Sequence, residues 1–143
     1  MLTIEKVMIL KSVQMFAQTP DEVLAEIASI LEEVSFPAGH TIFKKGDPGD
    51  CMYLIDGGRV RIHDGEHTLT TLGERDIFGE LAVLDSEPRS ASATTTSETR
   101  LLRIGQESFY DLMADRIEIV RGILRVLCRR VRARNIEQAL AAR

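Results

Sequence analysis

The chain has 143 residues, 44% of them apolar and 28% charged, with a formal net charge of −4. That size suits one domain with a real core rather than two ordinary ones, and the composition excludes a disordered chain. The acidic balance argues against general nucleic-acid binding, which shows as a basic surplus.

The first stretch favours helix, and Glu5, Lys6 and Lys11 interrupt an apolar run far shorter than the roughly 20 residues of a membrane span. No small-residue cleavage site follows it, so it is not read as a signal peptide. Thr19-Pro20-Asp21-Glu22 has the form of a helix start, with Thr19 as N-cap, Pro20 at the first helical position and Glu22 three residues after the cap. Val23, Leu24, Ile27, Ile30 and Leu31 then recur at helical spacing to about Glu32. Residues 1–33 are therefore predicted to be N-terminal helices.

The period changes between residues 34 and 104. Short segments at 41–43, 52–55, 59–63, 68–72, 91–96 and 99–104 are separated by turns such as Pro37-Ala38-Gly39, Asp56-Gly57-Gly58 and Asp64-Gly65. Arg59-Val60-Arg61-Ile62-His63 alternates polar and apolar, the mark of a strand with one face buried. About eight strands at this spacing predict a small antiparallel barrel or jelly roll. Cys51 and Cys128 stand alone, with neither a CxxC pair nor a disulfide framework, as expected of reduced thiols in a cytoplasmic protein.

Helix returns after Gly105. Phe109, Leu112 and Met113 mark a short helix, and Asp115 is placed as the cap of a long one reaching about Ala139. Residues 105–143 are thus C-terminal helices. The fold class is α+β: an antiparallel β-roll, of double-stranded β-helix or jelly-roll type, flanked by N- and C-terminal helices. In the long helix Ile117, Val120, Leu124, Leu127 and Val131 form a heptad-like seam, widened by Ile123 and Val126. One face is expected to pack on the roll, leaving another for a homodimer, with intramolecular packing as the alternative. Arg121, Arg125, Arg129, Arg130, Arg132 and Arg134 make a basic stretch suited to the C-terminal half of a helix. A solvated face accounts for it; an acidic partner, a membrane headgroup or nucleic acid are the alternatives. No helix-turn-helix pattern follows, so neither a DNA-binding unit nor a membrane segment is expected in this chain.

The segment from Ile77 to Thr96, IFGELAVLDSEPRSASATTT, places one glutamate and one arginine in a glycine- and alanine-rich setting. Gly79 opens what reads as one turn of helix, and the first amides of such a turn lack internal partners and attract anions. Arg89 carries a permanent, forked charge that suits two phosphate oxygens. Glu80, acceptor-only when ionised, suits a hydroxyl such as a sugar's. Together they ask for a ligand with a phosphate and a neighbouring hydroxyl.

FGELAVL followed by PRSAS resembles the phosphate-binding cassette of cyclic nucleotide-binding domains, whose usual form is FGELALL followed by PRAAT or PRSA. Gly46, Asp50, Tyr53, Gly58 and Val60 also match that family's pattern, and the resemblance runs over about residues 5 to 138, with the cassette at 78–91. It implies that Glu80 takes the ribose 2′-hydroxyl and Arg89 the cyclic phosphate. The backbone amides of Gly79, Leu81, Ala82 and Ala91 would add neutral donors. Ser90 sits where some members have a hydroxyl that touches phosphate or base, and in cGMP-selective members it contacts the guanine amino group. The expected ligand is cAMP ahead of cGMP, with no cofactor. In this family the last helix often caps the base or forms a dimer; Leu124, Leu127 and Arg125 are the candidates here.

Cupins share the double-stranded roll, but their H-x-H metal spacing is absent: His63 and His67 flank a turn and His40 lies far upstream. No nucleophile–base arrangement is visible, and Cys51 reads as strand filling, so no enzyme is expected. The expected function is that of a ligand-sensing regulatory module, stand-alone or attached to an effector domain of a larger protein. The alternative is a degenerate, ligand-free domain of the same fold in which Glu80 and Arg89 form a structural ion pair.

Overall fold

The computed structural model describes residues 1–142. Two short helices, α1 (Thr3–Lys11) and α2 (Asp21–Ser29), flank a 3-10 turn at Gln14–Phe16. Eight strands follow: β1 (Glu32–Phe36), β2 (Thr41–Phe43), β3 (Cys51–Gly57), β4 (Val60–Asp64), β5 (His67–Leu72), β6 (Ile77–Phe78), β7 (Ser92–Thr95) and β8 (Thr99–Gly105). A helix of one and a half turns, α3 (Glu80–Asp85), lies between β6 and β7, and α4 (Gln106–Asp115) and α5 (Ile117–Ala141) close the chain. The strands make two four-stranded sheets, β1-β8-β3-β6 and β2-β7-β4-β5, and every pairing is antiparallel. The expected α+β roll between helices is the fold.

The core divides where the first sheet runs through it. Met52 and Leu54 of β3, with Leu102 and Ile104 of β8, pack against the helices. Cys51, Tyr53 and Ile55 point the other way, into the roll, with Val60, Phe78, Ala93 and Leu101. Because side chains alternate along a strand, a strand buried on both faces reads as an unbroken apolar run, and Cys51 to Ile55 is one. Among the helices the contact between Phe16 and Phe109, both fully buried, sets their rings edge to face at 6.2 Å.

Three local expectations are corrected. Thr19 is not a cap: α2 begins at Asp21 without a side-chain cap bond, and Thr19 lies buried with its hydroxyl unpartnered. Packing took precedence there, because α5 passes so close that a Cβ on Gly122 would lie 3.2 Å from the Met15 carbonyl and 3.9 Å from Thr19 Oγ1. Asp115 ends α4 instead of starting α5. The junction is Arg116, in extended conformation, whose Nε donates to Glu26 Oε2 at 2.9 Å while Nη2 pairs with Oε1. That hydrogen bond holds the Glu26 carboxyl below its usual range. Finally, Glu32–Phe36 is a strand rather than a helix end, paired along its length with β8.

Replacing Phe16 by alanine should cost about 3–5 kcal/mol, the range for emptying a well-packed aromatic site. Urea denaturation would measure it, with an unchanged slope showing that the loss is one of stability alone.

Candidate functional site

The cassette helix opens on a left-handed residue. Gly79 caps α3 at φ +79°, and a Cβ there would lie 2.6 Å from Arg89 Nη1. Glycine is required twice, by the backbone angle and by the close approach. Arg89 is fixed by its main chain, whose N–H donates to the Asp47 carbonyl and whose carbonyl accepts from Gly46 N–H, both at 2.8 Å. Its side chain then runs inward and is only 5% exposed.

No carboxylate meets this buried guanidinium among the described residues. Nη1 donates to the Gly79 carbonyl at 3.0 Å and Nη2 to the Cys51 carbonyl at 2.6 Å, with Cys51 Sγ 3.6 Å from Nη2. The Phe43 ring lies beneath, its centroid 4.1 Å from the guanidinium carbon. Nε has no hydrogen-bond partner among the described residues. Beside it the Cys51 thiol donates to the Tyr53 hydroxyl at 3.3 Å, and burial together with that contact pushes the Tyr53 phenol up to about 12.

A cavity of about 470 Å³ opens here, and Gly79, Glu80, Leu81, Ala82, Arg89, Ser90 and Ala91 all line it. The structure thus brings together every site residue expected from the cassette. Ile62 and Leu72 contribute an apolar wall. Glu80 and Arg89 do not form the ion pair of the alternative expectation. Glu80, with a side chain 14% exposed, lies 3.4 Å from Nη1 of Arg130.

Phe43, Gly49 and Arg130 are among the residues of this site that escape the sequence reasoning. Phe43 sits on β2 with no motif to mark it. Gly49, in the turn between β2 and β3, packs beneath the cassette: a Cβ there would overlap Ala82 Cβ at 2.2 Å and crowd Arg89 Nε at 3.2 Å. Arg130 is the residue of α5 that lines the cavity, whereas the expected Arg125 is exposed and Leu124 and Leu127 line a separate apolar groove with Leu84, Tyr110 and Met113. The helical period explains the difference. The buried face of α5 is Ile119, Gly122, Ile123 and Val126, and Arg130 continues it four residues after Val126. The outward positions Ile117, Leu124 and Val131 stay more than half exposed.

Other chemistries find little footing. His63 bonds the Gly65 carbonyl and Thr94 Oγ1, both at 2.8 Å, and His40 stacks on Phe36. Among the described residues no three His, Cys, Asp or Glu side chains are grouped to hold a metal, and no helix is long and apolar enough to cross a membrane. The site offers a buried cation, the unpaired first amides of α3, an accepting carboxylate and an apolar wall. It suits a phosphate joined to a hydroxyl-bearing group with a flat apolar portion.

The family model described as cyclic nucleotide-binding domain matches residues 33–116. A CRP-like cAMP-activated global transcriptional regulator of Mycobacterium tuberculosis is 41% identical over 132 residues, covering 89% of this chain and 59% of that protein. The chain therefore spans little more than half the length of that relative. Among solved structures, the N-terminal domain of a transcriptional regulator from Streptomyces coelicolor superposes with a TM-score of 0.80 at 33% identity, over 90% of this chain and 93% of that one. The regulatory domain of Toxoplasma gondii PKA, in co-crystal with cAMP, gives 0.72 at 27% identity, over 77% of this chain and 44% of the other. With the family model matching more than half of its residues and a relative 41% identical over 89% of it, the chain belongs to the cyclic nucleotide-binding domain family.

Proposed function

We propose that this chain binds cAMP in the cavity beside α3 and acts as a regulatory module that relays occupancy through α5. The observation that carries the proposal is Arg89, a buried cation lining a cavity, with no carboxylate partner and its Nε unpartnered among the described residues. A cyclic phosphate supplies the missing anion. The amides of Gly79, Leu81, Ala82 and Ala91 add neutral donors to it, Glu80 accepts from the ribose 2′-hydroxyl, and Ser90 stands exposed beside the phosphate. A ligand of about 22 heavy atoms at roughly 0.3 kcal/mol per atom reaches about −7 kcal/mol, which is micromolar binding.

The names of the similar proteins, one activated by cAMP and one crystallised with it, favour adenine over guanine. Relay follows from Glu80 having two possible partners. A ribose hydroxyl competes with Arg130 for the same carboxylate, so occupancy shifts the balance of α5 positions. The exposed Ile117, Leu124 and Val131 give α5 a seam for a second copy. Two free thiols are consistent with the cytoplasm as its compartment.

Two outcomes are expected. cAMP should raise the melting temperature, by the equivalent of about 2.7 kcal/mol at a hundredfold excess over Kd. Arg89→Ala should weaken binding in isothermal titration roughly 10- to 150-fold, the range for losing a charge-assisted bond. Unchanged affinity in that variant, or a wild-type protein indifferent to millimolar cAMP and cGMP, would end the proposal. Separately, size-exclusion chromatography should show a dimer that Leu124→Arg converts to monomer without lowering cAMP affinity more than about threefold, since Leu124 lies outside the cavity.

A further inference from the structure

We propose that Gln106 and Tyr110 of α4 are positioning residues of the nucleotide site: they cap the far end of the cassette helix and tie α4 to what the cassette holds. The inference rests on the nucleotide-binding function above for its ligand arm, and on the fold alone for its cap.

The sequence leaves the end of α3 without donors. A helix carbonyl is met by the amide four residues on, which for Val83 is that of Glu87 and for Leu84 that of Pro88. Pro88 has no N–H to give. The Glu87 amide is taken elsewhere, donating to Asp85 Oδ1 at 2.9 Å. Between them Ser86 turns the chain out of the helix at φ 57°, a left-handed angle uncommon for a serine. A helix of six residues has no reserve of internal bonds to make up the loss.

The Val83 carbonyl is met from α4, and the Leu84 carbonyl is approached from it. Gln106 Nε2 donates to the Val83 carbonyl at 2.8 Å, and the Tyr110 hydroxyl donates to the same oxygen. Tyr110 also lies 3.4 Å from the Leu84 carbonyl, and Gln106 Nε2 is 3.1 Å from Ser86 Oγ. Gln106 and Tyr110 stand four residues apart, on one face of α4, with 3.2 Å between Nε2 and the hydroxyl. The main chain of Gln106 makes a further link, its N–H donating to the Asp50 carbonyl at 2.8 Å. Asp50 precedes Cys51, whose own carbonyl accepts from Arg89. The first turn of α4 is therefore fastened to both sides of the phosphate position, to the end of α3 by side chains and to the strand under Arg89 by backbone. A displacement of α3 on binding pulls on α4 through Gln106 and Tyr110, and Arg116 passes it to α5.

Hydrogen exchange on the whole chain tests this with Tyr110→Phe, Gln106→Met and the double variant, each with and without cAMP. Without nucleotide, α3 amides of the double variant should exchange roughly tenfold faster than in wild type, with those of β3 and β8 unchanged. With saturating cAMP, wild type should gain protection in α3 and in α4–α5. The double variant should keep the gain in α3 and lose at least half of that in α4–α5, a ratio that a loss of stability alone leaves untouched. Tyr110→Phe, which keeps the ring and the Gln106 bond, should fall between the two and serves in place of the double variant if that does not fold. Unaltered α3 exchange, or an undiminished α4–α5 response, overturns the proposal. Should wild type take up no cyclic nucleotide, the proposed function fails by itself, and the ligand-free exchange of α3 still decides the cap.

Discussion

The molecule depends on keeping a guanidinium away from water without giving it a carboxylate. Burying an ion costs several kcal/mol unless polar groups replace its hydration. Arg89 receives two carbonyls, a sulfur and an aromatic face, which satisfy part of its five-donor fork and leave its charge unneutralised. The surrounding architecture follows from that choice. Gly79 and Gly49 are glycines because the arginine and the helix it serves occupy the space where their Cβ atoms would stand. The Gly46-Asp47 turn is held by the arginine's own backbone. A cation fixed this firmly would not need to reorganise for the anion proposed to bind it, so little of the binding energy would be lost to ordering it.

The parts that were legible in the sequence are those governed by short-range rules. Turn residues cut the middle of the chain into strands, and the cassette gathers its seven expected residues because Gly79, Arg89 and the intervening helix are local to one another. The failures share a cause of the opposite kind. Thr19 has the chemistry of a cap, yet its surroundings are set by α5, about a hundred residues further along the chain. Asp115 looks like a helix start, but Glu26 holds Arg116 extended and moves the break by one residue. Glu32 and Glu33 read as the tail of a helix because β1 shows water one face, and only its pairing with β8 makes it a strand. Arg130 was within reach: following the inward face of α5 from Ile119 through Ile123 and Val126 leads to it, whereas following the heptad seam leads outward.

α5 joins these themes, because its two halves are held by different physics. The first half is anchored by buried apolar contact at Ile119, Ile123 and Val126, with Gly122 letting it approach the 3-10 turn closely. From residue 128 onward its side chains are exposed throughout the described residues. Six arginines against two glutamates give this helix a formal +4 and leave −8 for the rest of the chain, so it lies against a body of opposite charge. Only Arg130 among those six meets a carboxylate in the described residues, at the boundary between the anchored and the open halves. An ion pair at 3.4 Å whose arginine is nearly half exposed contributes little to stability. That weakness suits the exchange of partners proposed for Glu80. On the proposed function, Glu80 would give up Arg130 for a ribose hydroxyl at small cost, while the apolar anchor would stay in place. The fold thereby separates the apolar contacts that hold the helix from the weak polar one, and the second lines the same cavity as the buried cation.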